Sequence, residues 1–310
     1  MRKRVFTFLS ADGKTEIHGV EWMPNSEDEI KAVLQISHGV TEYIERYEEF
    51  AKFMTENGIM VVGNDHLGHG LSVAKGASPM YFGPRGSWEY AVRDLLNVYE
   101  LVKSDHPNVG YYILGFSMGS FLVRKLLIDY PSKIDAAILM GTGQIGKIPT
   151  ALGLLAAKSE AAKVGENNTS EGIESLTFGT YNKRFAPNKT KFDWLCSDEE
   201  SLAEYAKDPK IGGPMSAGLF REMLYGMEYT RKSSNVKKMR KSMPILIMSG
   251  EDDSVGDCGK GVRKVYKSFK KAGMADVKIK LYPSLRHDLL HEVNRKEIFR
   301  DILNWMNSAL

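Results

Sequence analysis
The sequence predicts an α/β fold, a mostly parallel, doubly wound sheet with an inserted helical cap. Two observations lead there. Short runs rich in Val, Ile, Leu and Tyr alternate with longer stretches whose apolar residues recur at helical spacing, the pattern of a sheet covered by helices on both faces. One gap in that alternation is too long for an ordinary connection and has helical content of its own.

The elements follow in order. Residues 4–9 and 16–22 flank an Asp12-Gly13 turn signal and read as an antiparallel hairpin at the sheet edge. Buried strands are expected at 32–37, 59–62, 111–114, 136–140, 245–248 and 277–281, each a short, nearly continuous apolar run. Helices are expected at 48–56, 88–103, 118–130, 260–271 and 295–307. The long gap assigns residues 144–236 to the cap and residues 1–143 and 237–310 to the core. Within the cap lie an Ala- and Leu-rich stretch at 151–162, an aromatic-rich stretch at 178–194, and a helical stretch at 203–228 broken by Gly212-Gly213-Pro214.

Composition excludes several classes. A chain of 310 residues with 43% hydrophobic content buries a full core, and a formal net charge of +3 is too balanced for a nucleic-acid binder. The basic run Lys237-Lys238-Met239-Arg240-Lys241 reads as a solvated face. Cys196 and Cys258 are too few for a disulfide framework, and the opening Met-Arg-Lys-Arg-Val-Phe-Thr-Phe lacks the apolar stretch of a signal peptide, so a cytoplasmic location is expected. No apolar run is long enough to span a bilayer, which leaves only peripheral membrane contact.

The chemistry centres on Gly115-Phe-Ser117-Met-Gly119, a G-x-S-x-G pattern between a predicted strand and a predicted helix. Such a sharp strand-to-helix turn exposes a serine hydroxyl, and its glycines permit close backbone packing. A serine hydroxyl attacks only when a base removes its proton, so a histidine is required, with a carboxylate to orient it. Asp253 follows the strand at 245–248, and His287 follows the last strand, in the chain order expected of an α/β-hydrolase fold. Asp252 and Asp257 compete with Asp253, and His291 competes with His287. The amides of Met118 and of Val40, in the loop His38-Gly-Val-Thr-Glu42, are the expected oxyanion donors. Gly141-Thr-Gly-Gln-Ile-Gly146 matches a dinucleotide-binding fingerprint, but it leads into the cap, lacks a following strand and acidic residue, and reads as a flexible exit.

Together, His38-Gly-Val-Thr-Glu-Tyr-Ile-Glu-Arg46-Tyr47, Asp65-His-Leu-Gly-His-Gly-Leu-Ser72, the G-x-S-x-G turn, Gly250-Glu-Asp-Asp253 and His287 resemble the monoacylglycerol lipase and lysophospholipase family of α/β-hydrolases. The resemblance spans nearly the whole chain and is weakest in the cap. It implies hydrolysis of a carboxylic ester bearing one acyl chain, with Ser117, Asp253 and His287 as triad and Val40 and Met118 as oxyanion donors. It also implies that Glu42 and Arg46 stand beside the polar head group, although a structural ion pair bracing the oxyanion loop is an equal reading. Two positions depart from the family pattern. Leu290 stands where similar lipases carry a glycerol-facing histidine, and Gly256 stands where they carry a reactive cysteine, with Cys258 nearby.

No cofactor or metal is expected, since the triad is self-sufficient and neither H-E-x-x-H nor C-x-x-C occurs. The expected partner is an acyl ester or lipid, with peripheral membrane or micelle contact through the cap, and no nucleic acid. Leu152, Leu154 and Leu155 either form that contact or pack in the cap's own core. A short-chain carboxylesterase, an amide-cleaving peptidase and a non-catalytic binding module are the rival functions on this scaffold.

Overall fold
A computed structural model describes residues 1–211 and 213–309. Gly212 of the expected break and Leu310 lie outside the described residues. The strands are β1 (Arg2–Leu9), β2 (Glu16–Met23), β3 (Ala32–Ser37), β4 (Ile59–Asn64), β5 (Gly110–Phe116), β6 (Ala136–Met140), β7 (Ile245–Gly250) and β8 (Val277–Tyr282). They form one eight-stranded sheet in the order β1-β2-β4-β3-β5-β6-β7-β8. The first two strands make the expected antiparallel edge hairpin, β2 pairs antiparallel with β4, and β3 through β8 are parallel. Every residue of β3, β4 and β7 is buried, which explains their continuous apolar sequences: both sheet faces are covered.

The helices are α1 (Glu48–Thr55), α2 (Trp88–Asp105), α3 (Met118–Asp129), α4 (Lys147–Val164), α5 (Glu171–Phe178), α6 (Glu199–Lys207), α7 (Ala217–Arg231), α8 (Ser233–Val236), α9 (Lys260–Lys271) and α10 (Arg295–Ala309). Apolar residues of α1 and α10 join one hydrophobic cluster, while those of α2, α3 and α9 join another, on the opposite sheet face. Helices α4 to α8 all lie between β6 and β7, and α4, α5 and α7 add apolar residues to the cluster of α2, α3 and α9. The stretch expected at 203–228, broken at 212–214, forms two helices, α6 and α7, on either side of that break. Each starts on a side-chain cap, the Asp198 carboxylate accepting from Ser201 N–H and the Ser216 hydroxyl from Leu219 N–H. Among the described residues no helix is long and apolar enough to cross a membrane.

The strand order fixes where chemistry can occur. From β3 the chain moves to β4 on one side and, later, to β5 on the other, so the connections leaving β3 and β5 diverge. The crevice between them, beyond the carboxyl ends of the strands, is the topological switch point where open α/β sheets bind ligands.

Candidate active site
Ser117 sits at that switch point, on the turn between β5 and α3, with φ 50° and ψ −117°. A non-glycine residue in this region costs about 1–3 kcal/mol, held in place by its surroundings. The flanking glycines make the bend possible. A β-carbon on Gly115 would stand 2.6 Å from the Gly119 carbonyl oxygen, and α3 packs directly against the end of β3.

One hydrogen-bonded chain joins the three expected side chains. His287 Nε2 is 2.9 Å from Ser117 Oγ, and His287 Nδ1 is 2.8 Å from Asp253 Oδ1. Asp253 is fully buried and also accepts from Ser249 Oγ (2.6 Å) and from Val255 N–H (2.8 Å). Burial pushes its carboxyl up, but the facing imidazole and these donors outweigh burial and hold it below the ordinary carboxylate range. An ionised Asp253 fixes the proton of His287 on Nδ1, which leaves Nε2 to accept from the serine.

The competing residues are engaged elsewhere. Asp252 pairs with Arg184, and Asp257 is exposed. His291 bonds Asp288 at 2.9 Å and faces the Arg46 carbonyl at 3.2 Å. The glycine-rich run after β6 has a packing role: a β-carbon on Gly141 would stand 2.8 Å from Cε1 of His287.

The β3 loop is heavily braced. Glu42 accepts from Gly39 N–H, from Tyr47 OH at 2.9 Å and from Arg46, and Arg46 also pairs with Asp288 at 3.3 Å. Burial would raise the Asp288 carboxyl, yet His291 and Arg46 together hold it well below its usual range. The motif at residues 65–72 supports the same loop. Asp65 accepts from Ile44 N–H and Leu71 N–H, and His66 N–H donates to His38 Nε2. Val40 and Met118 both line the cavity wall beside Ser117.

Leu290 does not reach the substrate side. It lies in the short turn Leu289–His291, which directs it into the core with α1 and α10, and it lines neither cavity beside Ser117.

Two unequal cavities meet at Ser117. The larger, about 400 Å³, is mostly apolar and runs along the helices between β6 and β7, past Phe121, Phe178, Tyr181, Met223 and Leu224. The smaller, about 20 Å³, lies among Glu42, Arg46, Asp288 and His287 and has room for one water-sized molecule. Leu152 lines the larger cavity and is 61% exposed, Leu155 is 64% exposed, and Leu154 is half-buried against the core.

Two contributors escape sequence reasoning. Trp194 packs on the His287 ring at 5.3 Å between centroids, and its segment is tied to the histidine loop by Asp288 N–H donating to the Leu195 carbonyl. The aromatic-rich stretch at 178–194 was the only hint. Arg124 of α3 is buried with no carboxylate partner among the described residues, and donates to the carbonyls of Gly143 (3.0 Å) and Thr230 (3.1 Å). It thereby ties both ends of the segment between β6 and β7 to α3, the helix that follows Ser117. Burial alone lowers its guanidinium to about 9.

Fold and site together define an α/β-hydrolase carrying a Ser-His-Asp constellation. The chain belongs to the family described as serine aminopeptidase, S33, whose model matches residues 28–294. It is 24% identical over 306 residues to a monoacylglycerol lipase of Mycolicibacterium smegmatis, covering 98% of this chain and 97% of that one. It is 25% identical over 291 residues to the human monoglyceride lipase, with 92% and 85% covered. Among solved structures, it superposes with a TM-score of 0.90 on a thermostable carboxyl esterase from Bacillus coagulans in complex with glycerol. That pair is 25% identical, with 100% and 99% covered. The chain is therefore a carboxylic ester hydrolase of the monoacylglycerol lipase-like type.

Proposed function
We propose that the protein hydrolyses esters of single-acyl lipids, monoacylglycerols or lysophospholipids, through an acyl-enzyme formed on Ser117. The observation that carries this reading is the hydrogen-bonded chain from Asp253 through His287 to Ser117, opening on an apolar cavity of about 400 Å³. Ser117 Oγ attacks the ester carbonyl carbon as His287 Nε2 takes its proton. Negative charge gathers on the carbonyl oxygen and is met by the amides of Val40 and Met118. The imidazolium then protonates the leaving alkoxide, the alcohol departs, and the acyl chain stays on Ser117. A water deprotonated by His287 attacks the acyl carbonyl, and the carboxylic acid leaves as Ser117 recovers its proton. The small polar cavity beside His287 suits that water in size.

The apolar cavity suits an acyl chain, and its rim supports delivery from a lipid interface: Ile148, Leu152 and Leu155 are exposed at helical spacing along α4. An aminopeptidase reading, which the family's description suggests, needs a free carboxylate to hold a substrate ammonium. Glu42 and Asp288 line the small cavity, but both are already paired with Arg46. A panel of monoacylglycerols, lysophospholipids and aminoacyl anilides tests the reading. The expected result is a kcat/KM at least about 100-fold higher on the acyl esters. A preference for aminoacyl amides would overturn it.

A further inference from the structure
Charge is segregated along this chain. Residues 232–241 and 260–271 contain eleven Lys and Arg and no Asp or Glu, so the rest of the chain carries a net −8. Elsewhere about half of the cations are paired, as Lys3 is with Glu45 and Glu48, or Arg295 with Glu49 and Asp198. In these two segments no side chain forms an ion pair among the described residues.

The two segments form one surface. Helix α9 buries Val262, Val265 and Phe269 and presents Lys264, Lys267 and Lys271 to solvent. The turn after α9 joins the other segment where Ala275 N–H donates to the Lys241 carbonyl. There the cations feel one another: burial and the charge of Lys237 both lower the Lys241 ammonium.

The position of this surface selects its partner. The amino-terminal end of α9 abuts the entrance to the cap, since a β-carbon on Gly261 would lie 3.4 Å from Gln144 N. From that entrance the chain runs into Ile145, which lines the acyl cavity, and then into the exposed apolar stripe of α4. Both α4 and α9 pack on the same hydrophobic cluster, on one side of the sheet. An apolar stripe at a cavity mouth, adjoined by a cationic helix without counter-ions, matches a surface that is itself apolar inside and anionic outside.

We infer that the basic face of α9 docks the enzyme on anionic lipid headgroups, with the apolar stripe of α4 meeting the same negatively charged membrane surface. This rests on the lipid-ester reading and adds to it a choice of membrane. The attraction is screened within roughly 8–10 Å at physiological salt, so it is salt-sensitive where the apolar contact is not.

Vesicle co-sedimentation tests the inference, with phosphatidylcholine vesicles against vesicles containing phosphatidylglycerol. The native enzyme is expected to bind the anionic vesicles at least tenfold more tightly at low salt, with the preference lost in high salt. Changing Lys264→Glu, Lys267→Glu and Lys271→Glu together is expected to erase the preference, leaving hydrolysis of a soluble short-chain ester and the melting temperature unchanged. Leu152→Ser with Leu155→Ser is expected to weaken binding to both vesicle types alike. Equal binding of the native enzyme to both vesicles, or a preference that survives the triple reversal, would overturn the inference. Displacement from anionic vesicles by stoichiometric double-stranded DNA would reassign the surface to nucleic acid. None of these outcomes touches the lipid-ester reading, which the soluble-ester and monoacylglycerol assays judge separately.

Discussion

Gly119 and Ser37 lie so close that a β-carbon on the glycine would stand 2.0 Å from the serine carbonyl oxygen. The contact is backbone against backbone, at the junction of α3 with the end of β3, and neither side can yield without moving Ser117 or the loop that follows β3. Gly119→Ala is therefore expected to destabilise the protein by at least about 3 kcal/mol, the upper range for overpacking. Urea unfolding of native and variant protein measures it. A loss below about 1 kcal/mol would show that the turn has slack.

A second prediction concerns acid. His38, His66 and His69 are fully buried within one cluster. Burial pushes His66 down to about 3 and His69 to about 4, and pushes His38 well below its ordinary value. All three are neutral in the folded protein and titrate near 6.5 once unfolded. Below pH 6.5 the unfolded chain therefore binds more protons, and stability falls as pH drops toward the folded values. The slope approaches ~1.4 kcal/mol per pH unit for each imidazole. Denaturant unfolding from pH 7 to pH 5 reads this slope, and His69→Asn should reduce it by about one proton's share. A flat profile would contradict the burial argument.

The triad carboxylate offers a third. Asp253→Asn keeps the shape of the side chain but puts the wrong tautomer of His287 against Ser117. Ester hydrolysis is expected to fall by about 10³–10⁴. Asp252→Asn and Asp257→Asn, which break only an ion pair with Arg184 or change an exposed residue, are expected to leave it within about twofold. Circular dichroism confirms folding in each case. A fully active Asp253→Asn enzyme would reject the assignment.

Helix α4 supplies a fourth. Ile148→Ser with Leu155→Ser removes two exposed side chains that do not line the cavity, so hydrolysis of micellar long-chain monoesters should fall several-fold while soluble esters and melting temperature hold steady. Leu154→Ser acts differently. That residue is half-buried against the core, and its replacement should cost about 1–3 kcal/mol of stability. Equal losses on micellar and soluble substrates in the double variant would assign the stripe to packing.

Much of this architecture was legible in the sequence, for identifiable reasons. Strands such as Ala32–Ser37 and Ala136–Met140 are buried on both faces, and their apolar runs have no competing interpretation. Ser117, Asp253 and His287 stood out because each follows a strand, and chain order then paired them. The helices between β6 and β7 were read less well. The break expected at 212–214 does fall between α6 and α7, but the apolar spacing did not place the starts of these helices, which the caps at Asp198 and Ser216 set. Leu152, Leu154 and Leu155 could not be separated by pattern, since exposure depends on which face of α4 meets α7, where Gly153 packs on Leu224. Leu290 was drawn toward the substrate by resemblance alone, whereas local turn geometry sends it into the core. Trp194 and Arg124 act through contacts to residues distant in sequence, which no local pattern records.

Every step of the proposed hydrolysis passes through Ser117 as the nucleophile. Intact-mass spectrometry after incubation with a fluorophosphonate ester measures this directly, with peptide mapping to locate the adduct. The expected result is one phosphonyl group per native molecule, carried on Ser117, with loss of ester hydrolysis in step with labelling. A folded Ser117→Ala protein should remain unlabelled and inactive. A native enzyme that hydrolyses acyl esters without being labelled, or a Ser117→Ala protein that keeps near-normal activity, would contradict Ser117 as the nucleophile.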